Sequence, residues 1–425
     1  MMAKSDMDSG YRYTVPATGG VSLLRSARPH RPMQSYLQSG VRPGPRDGAM
    51  NRRQAGLAMA AFALAQAAPH GAQAKTPDDA SAGVSAQARA LYARSLVVDA
   101  NLSPPLRDTL PLPKAALDMT RQAGVTVMKT TLGGFNEGFE DTVGEIALVQ
   151  RTIEVHPDTF MQIRTSADID RAKREGRTGI IFSFEGVAML EGKVERIELF
   201  RDLGVLVMQL SYNDVSPFGA GVLADPQLGL TELGRKAVAS MNTLGVAVDL
   251  SHAGPRTTAD ALAASTRPVV VTHAGCAAVY PHPRNKTDAQ LRAVADKGGV
   301  VGIYDLTYLA PSPKQPDLDD YMAHMLHALK VCGEDHVGVG SDQGLEPFDT
   351  SPAGMAAFQK DEEQRRKAGI AAPGEDRPNY VVGLNTPLRS LVIADALLKR
   401  GVSERVTEKI LGLNFARAFK EIWVA

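Results

Sequence analysis

Eight short runs rich in valine and isoleucine recur along the chain, each followed by a stretch of helical character. They are Leu96–Asn101, Val125–Thr131, Gly179–Phe184, Val205–Ser211, Val246–Ser251, Val269–Thr272, Val300–Tyr304 and Val337–Ser341. Runs of this length without apolar/polar alternation read as strands buried on both faces, which is the signature of a parallel sheet. The intervening segments carry helix signals. Leu230–Asn242 has a threonine N-cap candidate and Gly245 beyond its end, and Asp319–Val331 is a second such segment. Repeated βα units predict an α/β protein, and eight of them predict a closed (β/α)8 TIM barrel. An open doubly wound sheet is the weaker reading, because no glycine-rich phosphate turn follows the first strand. After the eighth strand the reading is a polar Pro/Gly-rich loop over about 345–380, then a helical C-terminus around Glu404–Ile422.

The barrel reading occupies residues 85–425, and residues 1–84 read as something else. The first fifty are rich in Arg, Pro, Gly and Ser without hydrophobic periodicity, which predicts disorder. Met50-Asn51-Arg52-Arg53 then leads into the alanine-rich run Ala55–Ala65, and Ala72-Gln73-Ala74 follows. A charged region, a short apolar run and a small-x-small site make an export signal over about 50–74, and the paired arginines resemble the twin-arginine kind. An amphipathic first helix is the competing reading, but the run is not periodic and stops at Pro69-His70-Gly71. On the signal reading Met50 is the start and the mature protein is periplasmic or secreted.

The formal net charge is zero, which argues against nucleic acid or an anionic membrane as the main partner. No uninterrupted apolar run is long enough to predict a transmembrane segment in the mature protein. The two cysteines, Cys276 and Cys332, supply no disulfide framework and read as isolated buried thiols.

Several of the strands end on side chains that bind metals or move protons. The third ends Phe184-Glu185-Gly186, the fifth at His252, the sixth at His273 and the eighth at Ser341-Asp342. In a TIM barrel such ends share one face. Two imidazoles and a carboxylate suit zinc or a similar divalent ion, and three protein ligands leave a place for water. Such an ion lowers the pKa of its water toward about 7, and a nearby carboxylate can take the proton. Each residue alone has an ordinary alternative: a satisfied core histidine, or a carboxylate at a helix start. The reading rests on four of them meeting at one face.

Over about residues 90–420 the chain resembles the membrane (renal) dipeptidase family, peptidase family M19, among the amidohydrolase-like metal-dependent barrels. The resemblance rests on Phe184-Glu185-Gly186, Gly229-Leu230-Thr231 with Gly234-Arg235, Val248-Asp249-Leu250-Ser251-His252 and Thr272-His273. It rests also on Pro281-His282-Pro283-Arg284-Asn285, Gly338-Val339-Gly340-Ser341-Asp342 and Ile410-Leu411-Gly412-Leu413-Asn414-Phe415. It implies two metals, usually zinc, bridged by the glutamate that Glu185 matches. His252 and His273 match the ligands of the second metal, Asp342 the acid that handles the proton of the attacking water, and Arg284 the arginine that binds the substrate's carboxylate. It also implies a small peptide or amide substrate and a homodimer.

Two places depart from the family pattern. The family's first strand ends Asp-Gly-His-Asn-Asp, whose His and last Asp hold the first metal; here Asp99-Ala100-Asn101-Leu102-Ser103 stands there, so Asn101 and Ser103 are degenerate metal positions. After the fourth strand the family has Thr-His-Asn, and this chain has Ser211-Tyr212-Asn213. A tyrosine hydroxyl can assist catalysis and contact substrate by donating to an oxyanion, but it carries no positive charge. The expectation is a mononuclear site on Glu185, His252 and His273 in a periplasmic hydrolase of dipeptides or related amides. The alternatives are an enzyme of the same scaffold with altered chemistry, in maturation of a secreted peptide metabolite, and a catalytically degenerate binding protein.

Overall fold

A computed structural model describes residues 83–134, 137–367 and 371–423. The signal segment and the disordered extension expected before residue 83 lie outside the described residues.

All eight expected strands form: β1 (Val98–Asp99), β2 (Val127–Thr131), β3 (Thr178–Phe184), β4 (Val205–Met208), β5 (Ala247–Val248), β6 (Val270–Ala274), β7 (Val300–Ile303) and β8 (Val337–Val339). They pair in parallel, each with its neighbours in the chain, and β1 pairs with β8 through Asp99 and Val339. A parallel bridge between Asp249 and Val270 joins β5 to β6 and closes the ring. The architecture is the (β/α)8 barrel that the alternation predicts. An extra strand, Phe160–Gln162, lies against β3 outside that order.

The strands read as continuous apolar runs because both faces are buried. In β3, Ile180, Phe182 and Phe184 pack outward against the helical layer, while Ile181 joins Val98, Val127, Val207, Val270 and Val300 inside the barrel. The helix signals hold as well. Thr231 caps Glu232–Leu244 by accepting from Gly234 N, and Gly245 ends it in a left-handed conformation. The barrel floor is closed by the C-terminal helix Asn414–Ile422. Its Phe415 and Phe419, with Trp423 beyond, enter the inner cluster, and Trp423 Nε1 donates to Leu206 O at 3.2 Å. A Cβ on Gly338 would come within 2.5 Å of the Phe415 ring, so the floor requires glycine there.

One expectation needs correction. The stretch after β8 is not only loop, because Pro352–Lys367 forms a 16-residue helix. None of its described residues is buried, so it has no apolar face to reveal it in sequence. Phe358, Asp361, Glu362 and Arg365 of this helix line the cavity above the C-terminal strand ends. No helix among the described residues is long and apolar enough to cross a membrane. Cys276 and Cys332 are both buried free thiols, as expected.

Candidate metal centre and active site

Parity brings two of the strand ends to the rim. In β2 the residues Val127, Lys129 and Thr131 share one face, and in β3 Ile181, Ser183 and Glu185 do the same, so the face that is apolar below becomes polar at the rim. His273 reaches the rim by a different route. Val271 pairs with Val301 but Ala274 with Ile303, so β6 carries one extra residue. That bulge turns His273 to the side that Val270 occupies, which simple alternation would not do.

Two buried aspartates clamp adjacent strand ends. Asp249 Oδ1 accepts from Ser251 N at 3.0 Å and from Thr272 N at 3.1 Å, and its Oδ2 accepts from the Thr272 hydroxyl at 2.6 Å. Asp99 likewise accepts from Asn101 N at 3.1 Å and from Ser341 N at 2.9 Å. The first clamp sets the histidine pair and the second sets Asn101 beside Asp342.

The ligand atoms of Glu185, His252 and His273 all lie within 4.8 Å of one another. His252 Nδ1 is 2.7 Å from Asn213 Oδ1, and His273 Nδ1 is 2.9 Å from the Thr272 oxygen. The Thr272 proton is committed to Asp249, so Thr272 can only accept from His273. Both rings therefore place the proton on Nδ1 and turn an Nε2 lone pair inward. Those two acceptors stand 3.1 Å apart, and His252 Nε2 is 3.7 Å from Glu185 Oε2. Two imidazoles on one tetrahedral zinc would be about 3.3 Å apart, N to N, for Zn–N near 2.05 Å. Burial, then the Arg284 guanidinium, holds both rings well below the usual histidine range, so both stay neutral. A pair of neutral inward acceptors beside a carboxylate fits one divalent cation.

The other carboxylate, Asp342, sits at a left-handed backbone position with φ of 59°. Asp342 Oδ1 accepts from Asn101 Nδ2 at 2.6 Å, while Oδ2 lies 3.9 Å from His273 Nε2 and 4.0 Å from Arg284 Nη2. Burial, then the charge of Glu185, pushes Asp342 up to about 7. Arg284 is 1% exposed, and its Nη1 donates to Ser251 O at 3.1 Å. An arginine this buried lies inside the cluster and not in a surface ion pair. The Tyr212 ring stacks on His252 with centroids 4.2 Å apart, and burial pushes its hydroxyl up to about 12. These residues open onto a cavity of about 930 Å³.

The two degenerate positions separate. Asn101 is 5% exposed and joins the cluster, donating to Glu185 Oε1 at 2.9 Å as well as to Asp342. Ser103 lines the cavity from a short ladder with Gly344, its carbonyl accepting from Leu345 N at 2.9 Å. Sequence reasoning passed over two residues. Asn213 orients His252, and Lys129, fully buried, donates to Asn101 Oδ1 at 2.8 Å. The lysine had a signal: a cation in the middle of Val127–Thr131, a strand buried on both faces, must meet an anion or a polar group inside.

Fold and donor set together define a (β/α)8 barrel with a candidate metal-binding constellation at the C-terminal ends of its strands. Residues 85–360 match the membrane dipeptidase family, peptidase family M19, and the chain belongs to that family. A dipeptidase of Claviceps purpurea, tcpJ, is 30% identical over 285 residues, which is 66% of this chain and 60% of the fungal protein. An amidohydrolase from Pseudomonas aeruginosa superposes with a TM-score of 0.70 at 29% identity, over 79% of this chain and 99% of that one. A metallopeptidase from Rhodobacter sphaeroides shares the fold, with a TM-score of 0.63 at 19% identity over 77% of this chain and 99% of that one. Family membership implies a divalent metal.

Proposed function

We propose that this chain hydrolyses dipeptides or related small amides bearing a free carboxylate, with a single divalent ion, zinc by its donor set, held by Glu185, His252 and His273. One observation carries the reading: two neutral imidazole acceptors 3.1 Å apart face the same point as Glu185, with Asp342 and Arg284 beside them at the mouth of the cavity. The finding that the Claviceps relative is named a dipeptidase supports the same class of substrate.

When bound, the ion supplies a Lewis acid and lowers the pKa of water toward about 7. The remaining work falls to side chains. Asp342 accepts the proton of the attacking water on Oδ2, since Oδ1 is engaged by Asn101. Arg284, fixed through Ser251 O, pairs its remaining N–H groups with the substrate carboxylate. Tyr212 keeps its proton at neutral pH and donates to the oxyanion of the tetrahedral intermediate. Asn213 and Thr272 hold the imidazole tautomers.

The same reading takes the protein to the periplasm by the twin-arginine route. Arg52-Arg53 ahead of the alanine-rich run, with Ala72-Gln73-Ala74 after it, supports this. Cell fractionation tests it. A homodimer belongs to the reading on the family resemblance.

The deciding experiment is a panel of dipeptides, including ones with a D-residue on the C-terminal side, assayed with added zinc, cobalt or manganese. Turnover that depends on one bound equivalent is expected. A metal-loaded protein that turns over none of the panel overturns the hydrolase reading, in favour of altered chemistry or binding alone.

A further inference from the structure

Glu185 has two oxygens with different surroundings. Oε2 faces His252 Nε2 at 3.7 Å. Oε1 accepts from the Thr131 hydroxyl at 2.8 Å and from Asn101 Nδ2 at 2.9 Å, and Lys129 Nζ lies 3.9 Å from it. The Asn101 amide is oriented without ambiguity. Its oxygen accepts from the lysine ammonium at 2.8 Å, and its nitrogen bridges Glu185 Oε1 and Asp342 Oδ1. A flipped amide would set its N–H groups against the ammonium and its oxygen between two carboxylates.

The consequence is a division of labour within one carboxylate. Protein donors saturate Oε1, and Oε2 is left to a metal. A second divalent ion on the Oε1 side would have to displace Thr131 and Asn101. It would also approach a fully buried ammonium whose strand holds it in place. The donor set there, an amide, a hydroxyl and an ammonium, does not fit a metal.

We propose that Lys129 is the built-in cation of this site: through Asn101 it offsets the charges of Glu185 and Asp342, positions both, and keeps a second metal out. The inference rests on the single-metal reading above and adds the residue that enforces it. Lys129 is a positioning residue, since its contacts run through Asn101 and Glu185. Lys129 Nζ lies 3.9 Å from Glu185 Oε1 and Arg284 Nη2 lies 4.0 Å from Asp342 Oδ2, so a second divalent ion on the Oε1 side would stand beside a buried cation as well as beside the first ion.

Metal counting tests this without reference to activity. The wild type, N101H/S103D, Lys129→Met and the triple variant are loaded with zinc, freed of excess and counted by elemental analysis. Zinc affinity is measured by chelator competition. One equivalent is expected in the wild type and in N101H/S103D, and two in the triple variant. Lys129→Met alone should bind the first zinc at least about tenfold more tightly, because a nearby like charge is gone. Lys129→Arg should keep the wild-type count and affinity. Two equivalents in the wild type overturn the single-metal reading. One in the wild type but two in N101H/S103D leaves that reading standing and overturns the role of Lys129, as does unchanged affinity in Lys129→Met. Should the triple variant fail to fold, the affinity of Lys129→Met decides.

Discussion

His252 Nε2 stands 3.1 Å from His273 Nε2, and neither nitrogen has a proton for the other, because each ring donates its proton from Nδ1 to Asn213 or to Thr272. Two lone pairs that close repel unless a cation lies between them. The arrangement is held by neighbours that never touch the cation. Asn213 is therefore predicted to matter for metal affinity although it is no ligand. Asn213→Ala should weaken zinc binding by about 10- to 100-fold while leaving the count at saturation unchanged, measured by chelator competition. His252→Ala should lose the ion outright.

Asp342 and Arg284 lie 4.0 Å apart and face the same cavity, yet their substitutions should separate in the kinetics. Asp342→Asn removes the proton acceptor, so kcat should fall by about 10²- to 10⁴-fold with bound metal retained. Arg284→Lys loses the forked donor, so KM for a free dipeptide should rise on the order of 10- to 100-fold. A C-terminally amidated substrate should show little of that second effect. Steady-state kinetics on both substrates check the split.

Glu145 lines the cavity and accepts from Gly133 N. Burial pushes it up to about 7 from an ordinary 4.5. The folded protein thus keeps a proton that the unfolded chain has released across that window. Unfolding there releases a proton, so stability is full below 4.5 and falls as pH rises toward 7. Glu145→Gln cannot titrate and keeps an oxygen for Gly133. Its stability relative to wild type should be near zero at pH 4.5 and grow in favour of the variant up to about pH 8. Urea midpoints at several pH values measure this.

Trp423 is the single tryptophan, 5% exposed, stacked on Phe419 with centroids 4.4 Å apart, and bonded to Leu206 O below the barrel. Trp423→Ala should cost about 3–5 kcal/mol of stability and lower the thermal midpoint without altering metal count. Circular dichroism melts and elemental analysis check the two halves of that statement.

The strands and their order were legible because the local pattern and the global fold agree. Runs such as Val300–Ile303 and Val205–Met208 are buried on both faces, so their composition alone announces them. The helix Pro352–Lys367 was not legible, because a segment that buries no side chain leaves no periodic trace. Phe160–Gln162 was missed for a related reason: three residues beside β3 are too short a run to stand out. At the site, Glu185, His252, His273 and Asp342 could be named from where they fall at strand ends. Asn101 could be named only as a departure.

Residue type and strand parity are properties of the chain itself; they determined the barrel and which side chains stand at the strand ends, whereas the bulge that turns His273 to the rim is a feature of the strand pairing. What each polar atom is paired with depends on partners far away in sequence, and only the tertiary structure decided that. Asn101 reaches Asp342 across 241 positions and Glu185 across 84, and Lys129 meets it from another strand. A buried amide, a lysine and two carboxylates have many pairings on paper. Desolvation leaves few that satisfy every donor and acceptor at once, and this one gives Glu185 Oε1 two protein donors while Oε2 faces His252.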